Sequence, residues 1–124
     1  RYSSRSTTGA MIEKYLRKTG ITGTRRMEVD NADMMCTLVG MGVGWAITTP
    51  LHILQGFQRM KGVAVSALEQ TSPERIVTII TRAGEFEEIA INLGIEAKRL
   101  LREKYLLELF SRIPMLTNSM QIID

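Results

Sequence analysis

The sequence predicts an α/β domain in which a mostly parallel sheet is flanked by helices. Two observations favour this class. Short strand-like segments alternate with amphipathic helical segments through the first half of the chain, and residues 75–82 (RIVTIITR) are rich in β-branched side chains. From Glu85 onward the pattern changes to that of one long amphipathic helix. The 124 residues suffice for one small domain with a core, or for part of a two-lobed one.

The first 30 residues predict a strand, a helix and a second strand. Residues 1–4 fit the end of a strand, and the hydroxyl residues 6–8 offer N-caps for a helix over residues 9–18. Residues 26–30 (RMEVD) alternate polar and apolar side chains, which indicates a strand. The apolar face of the helix consists of Met11, Ile12, Tyr15 and Leu16.

A second helix is predicted after Asp30 and Asn31, whose side-chain oxygens suit the capping of free backbone N–H groups. Apolar residues recur in it at three- and four-residue spacing, and glycines at every second position then end it. Because this glycine run follows a helix and precedes a strand, its order is the reverse of a dinucleotide-binding loop, and we exclude a nucleotide site. The apolar stripe is formed by Met34, Met35, Leu38 and Val39, and the glycines are Gly40, Gly42 and Gly44.

The glycine run leads into residues 45–47 (WAI), whose unbroken apolar character predicts a strand covered on both faces. Thr48 and Thr49 can cap the next helix. Pro50 suits its first turn, because proline lacks an N–H that the first turn would leave unpaired.

The remaining elements are two strands, a turn and a long helix. Residues 63–68 and 75–82 predict the strands, with a turn at residues 71–73 between them. The helix should run from Glu85 until Pro114 ends it. Its apolar positions are Phe86, Ile89, Ala90, Leu93, Ala97, Leu100 and Leu101.

Composition and charge exclude several classes of protein. Hydrophobic residues make up 44% and charged residues 23% of the chain, as in a globular domain. No apolar run approaches the roughly eighteen residues that cross a bilayer. The formal charge is +3, and basic residues concentrate before residue 27. No nucleic-acid-binding motif accompanies them, so we interpret them as a solvated helix surface.

The single cysteine, Cys36, excludes an internal disulfide and fits a reducing cytoplasm. Its position within a predicted helix favours a buried, inert thiol. The only histidine that could activate it is His52, and one such pair is a weak indication of catalysis. No G-x-S-x-G motif is present either. We therefore expect no enzymatic activity, no cofactor and no metal site.

Polar side chains follow the predicted strands. In a parallel sheet flanked by helices, ligands bind at the carboxyl ends of the strands, where the strand-to-helix loops lie. Residues 3–8, 30–33 and 48–50 are such loops, and all carry hydroxyl, amide or carboxylate groups. These groups could bind a ligand or could serve only as helix caps, and the two roles are compatible.

At this level the sequence resembles the effector-binding domain of LysR-type transcriptional regulators. The resemblance is carried by RRMEVDNADMMCTLVGMGVGWAITTPLHILQG, by the following RIVTIITRAGEF and by the apolar C-terminal helix. It implies a lobe of the fold of type II periplasmic binding proteins. Residues 1–72 would form the second lobe, and residues 73–124 would supply a return strand and C-terminal helix that belong to the first.

The resemblance also implies a function. A small effector binds between the lobes and modulates DNA binding by the regulator. A carboxylate is one candidate for this effector. The regulator is a cytoplasmic homodimer or higher oligomer, free of the membrane, and it contacts DNA only through an N-terminal helix-turn-helix domain that this sequence lacks. Arg5 could pair with a carboxylate, whereas Asp30 opposes an anion. The effector contacts implied for this chain are Ser3, Ser4, Arg5, Thr7, Asn31 and Thr48.

Two alternatives stay open from the sequence. A solute-binding protein of the periplasmic type shares the expected fold, and it is disfavoured because the polar, basic residues 1–9 (RYSSRSTTG) do not form an export signal. A small α/β enzyme is the other, and it would depend on Cys36 and His52.

Overall fold

The computed structural model describes residues 1–24, 27–68 and 73–123. Helices make up 52% of it, and the described residues contain no strand beyond one isolated parallel bridge between Tyr2 and Val29. The predicted mostly parallel sheet is therefore wrong. The chain divides into two compact units, Arg1–Pro73 and Glu74–Asp124.

Helix α1 (Thr7–Thr19) begins and ends where its local sequence dictates. Ser6 is its N-cap, because the Ser6 hydroxyl accepts a hydrogen bond from the backbone N–H of Gly9. Gly20 ends it in the left-handed conformation with φ at 68°. The predicted first helix is confirmed, with slightly wider bounds.

Helices α2 (Ala32–Gly40) and α3 (Pro50–Gly56) are confirmed in the same way. Asn31 caps α2, and Gly42 follows α2 with a positive φ of 75°. Thr49 caps α3, and Pro50 is its first residue. A 3₁₀ turn at Phe57–Arg59 continues the chain after α3.

The core of the first unit lies where α1 and α2 meet the bridge. Tyr2, Ile12, Leu16 and Met35 form one buried cluster, and Val29, Ala46 and Ile47 pack partly buried against it. Of the predicted apolar stripe of α2, Met35 is buried in this core, whereas Met34 is 51% exposed. The burial of Met35 stabilises the packing of α2 against the rest of the unit through the hydrophobic effect.

Glycines allow α2 to approach α3 and the following 3₁₀ turn closely. A Cβ added at Gly56 would lie 2.3 Å from the Cys36 sulfur, and one at Gly40 would lie 2.3 Å from the Arg59 carbonyl oxygen. Both distances are far inside van der Waals contact, so only glycine fits at these two positions. Asp33 of α2 also forms an ion pair with Arg59, with 3.2 Å between Oδ1 and the guanidinium nitrogen.

The predicted strands do not form, because no other described segment pairs with them. Residues 45–47, 63–68 and 75–82 have no regular secondary structure, and within the described residues no strand-type pairing joins them to another segment. Strand propensity measures how well a side chain fits a pleated surface beside neighbouring strands. Without a neighbour, the apolar side chains remain in solvent: Trp45 is 59% exposed and Ile80 is 86% exposed.

Two further predicted elements lie partly outside the described residues. The strand predicted at 26–30 survives only as the bridge at Val29, and Arg26 lies outside the described residues. The turn predicted at 71–73 also lies outside them, except for Pro73.

The second unit consists mainly of one long helical segment, as predicted. Helix α4 (Glu87–Leu100) continues through a π-helical turn (Leu101–Tyr105) into α5 (Leu106–Arg112). A 3₁₀ turn at Pro114–Leu116 follows, so Pro114 ends the helix as expected. Leu106, Leu109 and Leu116 are the buried side chains of this unit.

Helix α4 starts under backbone strain and has no buried residue. Phe86 precedes it with φ at 55°, a left-handed conformation that is unfavourable for a side chain of this size. Its predicted apolar face is exposed at Phe86, Ile89 and Leu93, which are 57–70% exposed. Among the described residues, no helix is long and apolar enough to cross a membrane.

Candidate functional site

The bridge between Tyr2 and Val29 brings two of the predicted loops to the same end of the first unit. The backbone N–H of Val29 donates to the Arg1 carbonyl at 2.9 Å, and the N–H of Ser3 donates to the Val29 carbonyl at 3.1 Å. Because the bridge is parallel, the segments that follow Tyr2 and Val29 leave it in the same direction. Ser4 and Asn31 therefore follow it at the same edge.

Ser3 is an anchor of the first loop. Its side chain is almost fully buried, and its carbonyl accepts hydrogen bonds from the backbone N–H and the hydroxyl of Ser6, at 3.0 and 2.8 Å. A Cβ added at Gly9 would lie 1.9 Å from that carbonyl oxygen, so glycine is required where α1 passes over the loop. These contacts fix the start of α1 against the bridge.

Three of the predicted contact residues in this loop face solvent. Ser4, Arg5 and Thr7 are exposed, and the described residues provide no ion pair to the Arg5 guanidinium. The first turn of α1 contains no acidic residue. The positive end of the helix dipole and the Arg5 cation therefore act together in favour of a negatively charged group.

Asn31 is exposed at the start of α2, where its side chain is divided between two roles. Its Oδ1 accepts a hydrogen bond from the backbone N–H of Met34 at 3.2 Å. The Nδ2 amide group is thereby left as a hydrogen-bond donor toward solvent. Asp33, two residues further on, is countered by its ion pair with Arg59.

Thr48 joins the third loop to the first through Tyr2. The Tyr2 hydroxyl and the Thr48 Oγ1 share a hydrogen bond of 2.9 Å, and the Tyr2 ring lies 5.2 Å from the His52 ring at a tilt of 39°. Burial, more than any other cause, raises the pKa of Tyr2 above its ordinary value. The phenol thus stays protonated at neutral pH and can act as the donor to Thr48.

The sequence did not identify Tyr2 as part of this edge, nor Ser6 as the residue that fixes the first loop. The available signal at position 2 was an aromatic residue with a hydroxyl at a strand end. Such residues usually find a hydrogen-bond partner when they are buried. The structure thus brings together the loops that carry Ser3, Ser4, Arg5, Thr7, Asn31 and Thr48.

The sequence pair Cys36 and His52 does not form a nucleophile and base. The Cys36 thiol points at the backbone carbonyl of His52, with 3.9 Å between sulfur and oxygen. The cysteine is 3% exposed, which confirms the predicted buried thiol. Burial also raises the pKa of the Cys36 thiol and suppresses the reactive thiolate. The described residues contain no cluster of side chains suited to a metal ion.

Comparison with known proteins assigns the chain to a family. The family model described as the LysR substrate binding domain matches residues 1–99. Neither the curated proteins nor the solved structures include a significant match.

Proposed function

The chain belongs to the family of LysR substrate binding domains, which is regulatory and not enzymatic, and on that premise we propose that it senses an effector for a LysR-type transcriptional regulator. The effector binds at the edge formed by the three loops that carry Ser3, Ser4, Arg5, Thr7, Asn31 and Thr48. Binding there changes how the regulator binds DNA. The observation that carries the proposal is the joining of these loops through the Tyr2–Val29 bridge and the Tyr2–Thr48 hydrogen bond.

The hydrogen-bonding groups left at this edge indicate the chemistry of the effector. Asn31 uses its acceptor oxygen for capping and keeps its amide N–H groups for a ligand. When Tyr2 donates to Thr48, the Thr48 hydroxyl hydrogen remains available. Arg5 is a donor throughout. Because donors predominate, an effector that presents acceptors, and a carboxylate above all, is favoured over a cation.

Asp30 is the group that opposes this assignment. It is exposed, so dissolved ions screen its charge over a Debye length of about 8–10 Å at about 0.1–0.15 M salt. Arg5 provides an opposite charge in the same set of loops and can bind a carboxylate through two parallel hydrogen bonds. The bidentate pair with Arg5 therefore outweighs the repulsion from Asp30.

The wider organisation follows the family. Residues 1–72 form the second lobe of the effector domain, and residues 73–124 belong to the first. The regulator is cytoplasmic and dimeric or of higher order. It contacts DNA through a helix-turn-helix domain outside this chain.

Screening small carboxylates against the full-length regulator by thermal shift, followed by calorimetry, tests the proposal. A binding carboxylate should raise the melting temperature, and Arg5→Gln should weaken its affinity at least tenfold, since a hydrogen bond to a charged group contributes about 1.5–3 kcal/mol. Arg17→Gln is the matched control, because Arg17 is an exposed arginine near the opposite end of α1. Equal affinities of the two variants, or no carboxylate that binds, would contradict it.

A further inference from the structure

A cavity with a mainly apolar lining lies inside the first unit. This cavity of about 130 Å³, open to solvent on one side, lies among α1, α2 and residues 43–47. The buried side chains of Ile12, Leu16 and Met35 form its floor, and the exposed side chains of Met27, Val43 and Trp45 surround its mouth. None of the six candidate effector contacts lines this cavity, although Tyr2, which connects their loops, is part of its lining.

The charges around the cavity favour a neutral occupant. Among the described residues that line it, Arg1 is the charged one. One guanidinium nitrogen of Arg1 pairs with Glu13 at 3.1 Å, and another donates to the Gly23 carbonyl at 2.9 Å. Since Glu13 already compensates this cation, an anionic ligand gains little from it. A cationic ligand would have to lose its hydration without a compensating charge.

Trp45 gives the mouth of the cavity an aromatic surface. Its ring lies against the backbone of Gly23, where an added Cβ would approach the indole Cζ2 to 3.3 Å. The ring is nevertheless 59% exposed, so an occupant could cover indole surface that is now in water. Aromatic rings favour edge-to-face and offset-stacked contacts with each other, beyond the gain from apolar area alone.

We propose that this cavity binds a small neutral aromatic molecule with a single ring. The volume supports this size, because an engineered apolar cavity of about 150 Å³ accommodates benzene. The open mouth beside Val43 and Trp45 leaves room for a short substituent. The domain thus carries a second ligand site whose occupant differs in polarity from the acceptor-bearing effector.

Titration of the protein with toluene tests the site directly, because Trp45 is the single tryptophan of the chain. The emission of Trp45 should change saturably as toluene covers the indole ring, and the melting temperature should rise with toluene concentration. Acetate serves as the negative control and should leave the emission unchanged.

Variants that fill the cavity separate this site from nonspecific contact. Ala46→Leu places a larger side chain within the lining and should abolish the saturable change. Val43→Phe at the exposed mouth is a second filled variant, useful if Ala46→Leu alters the helical circular dichroism spectrum. Ala64→Leu is the matched control, because Ala64 is exposed and does not line the cavity, and it should bind like the wild type.

Three results would overturn the proposal. A response of Trp45 that rises linearly without saturation would show partitioning of toluene onto the surface. Equal binding by the filled variants and by Ala64→Leu would place toluene elsewhere. A shift of Trp45 emission with protein concentration alone, matched by a higher mass in sedimentation, would show that a second copy of the chain covers this mouth.

Discussion

Gly9→Ala is expected to destabilise the first unit, because it disrupts the close packing of α1 against Ser3 in the first loop of the candidate site. The new Cβ would lie 1.9 Å from the carbonyl oxygen of Ser3 and 2.6 Å from the carbonyl carbon. Both are backbone atoms, so no side chain can rotate away. The start of α1 would have to move by more than about 1 Å to restore van der Waals contact at about 3.5 Å.

That displacement has a cost that the contacts allow us to estimate. It weakens the hydrogen bonds from Ser6 to the Ser3 carbonyl, at about 0.5–1.5 kcal/mol each, and it strains the Ser6 cap of α1, whose complete loss costs about 0.5–2 kcal/mol. Alanine regains up to about 1 kcal/mol over glycine through helix propensity. The net loss should be about 1–3 kcal/mol, in the range typical of overpacked sites.

Urea unfolding measured through Trp45 emission reports on the first unit, and Gly94→Ala provides the matched control. Gly94 is also helical, but its added Cβ would meet only the Ile79 side chain, at an ordinary 3.8 Å. That variant should be as stable as the wild type or more stable by up to about 1 kcal/mol, as judged by circular dichroism. A Gly9→Ala protein as stable as the wild type would refute the close approach of α1 to Ser3.

Three further outcomes follow from the contacts. Gly56→Ala should destabilise by about 1–3 kcal/mol through its clash with the Cys36 sulfur, and the loss should shrink in a Cys36→Ala background, as a double-mutant cycle by urea unfolding can measure. Because burial raises the pKa values of Cys36 and Tyr2, their contribution to stability is complete below the ordinary values of 9.0 and 10.0 and is lost as pH rises through the higher folded values. Chemical unfolding over alkaline pH should show this decline, and a smaller one in the Cys36→Ala protein. Phe86→Gly should raise the melting temperature, since glycine adopts the positive φ at that position without strain and the Phe86 side chain is 70% exposed; an unchanged or lower value would argue against strain there.

Helix positions could be predicted from the sequence because helix signals are local. Ser6, Asn31 and Thr49 each accept a hydrogen bond from an N–H three residues further along, so the cap and its partner lie within one turn. Pro50 and Gly42 act through their own backbone conformations. No distant residue is needed to interpret any of these positions.

Strands could not be predicted in the same way, because a strand exists only when a second segment pairs with it. Residues 45–47 and 75–82 have the expected composition, yet within the described chain no segment completes their hydrogen bonds. Val29 does find a partner in Tyr2, 27 positions away in the sequence, and becomes a bridge. Composition alone does not distinguish these outcomes.

The candidate site was predicted at the level of loops but not of atoms. Capping residues mark the starts of helices, which is why the loops near Ser4, Asn31 and Thr48 could be identified. Which groups remain available depends on tertiary contacts: Ser3 is buried, Asn31 uses its oxygen locally, and Thr48 is bonded to a tyrosine 46 residues away. These contacts determine which donors and acceptors a ligand would meet.

The sensor proposal consequently rests on different support from the one the sequence offered. The glycine run does end a helix, but residues 45–47 lie outside any sheet and cannot align the polar loops. The alignment comes instead from Tyr2, whose backbone pairs with Val29 and whose hydroxyl meets Thr48. Because one buried residue makes both connections, the three loops depend on it jointly. A change at Tyr2 should therefore disturb effector binding more than a change at any one loop, while the family assignment stands independently on the match over residues 1–99.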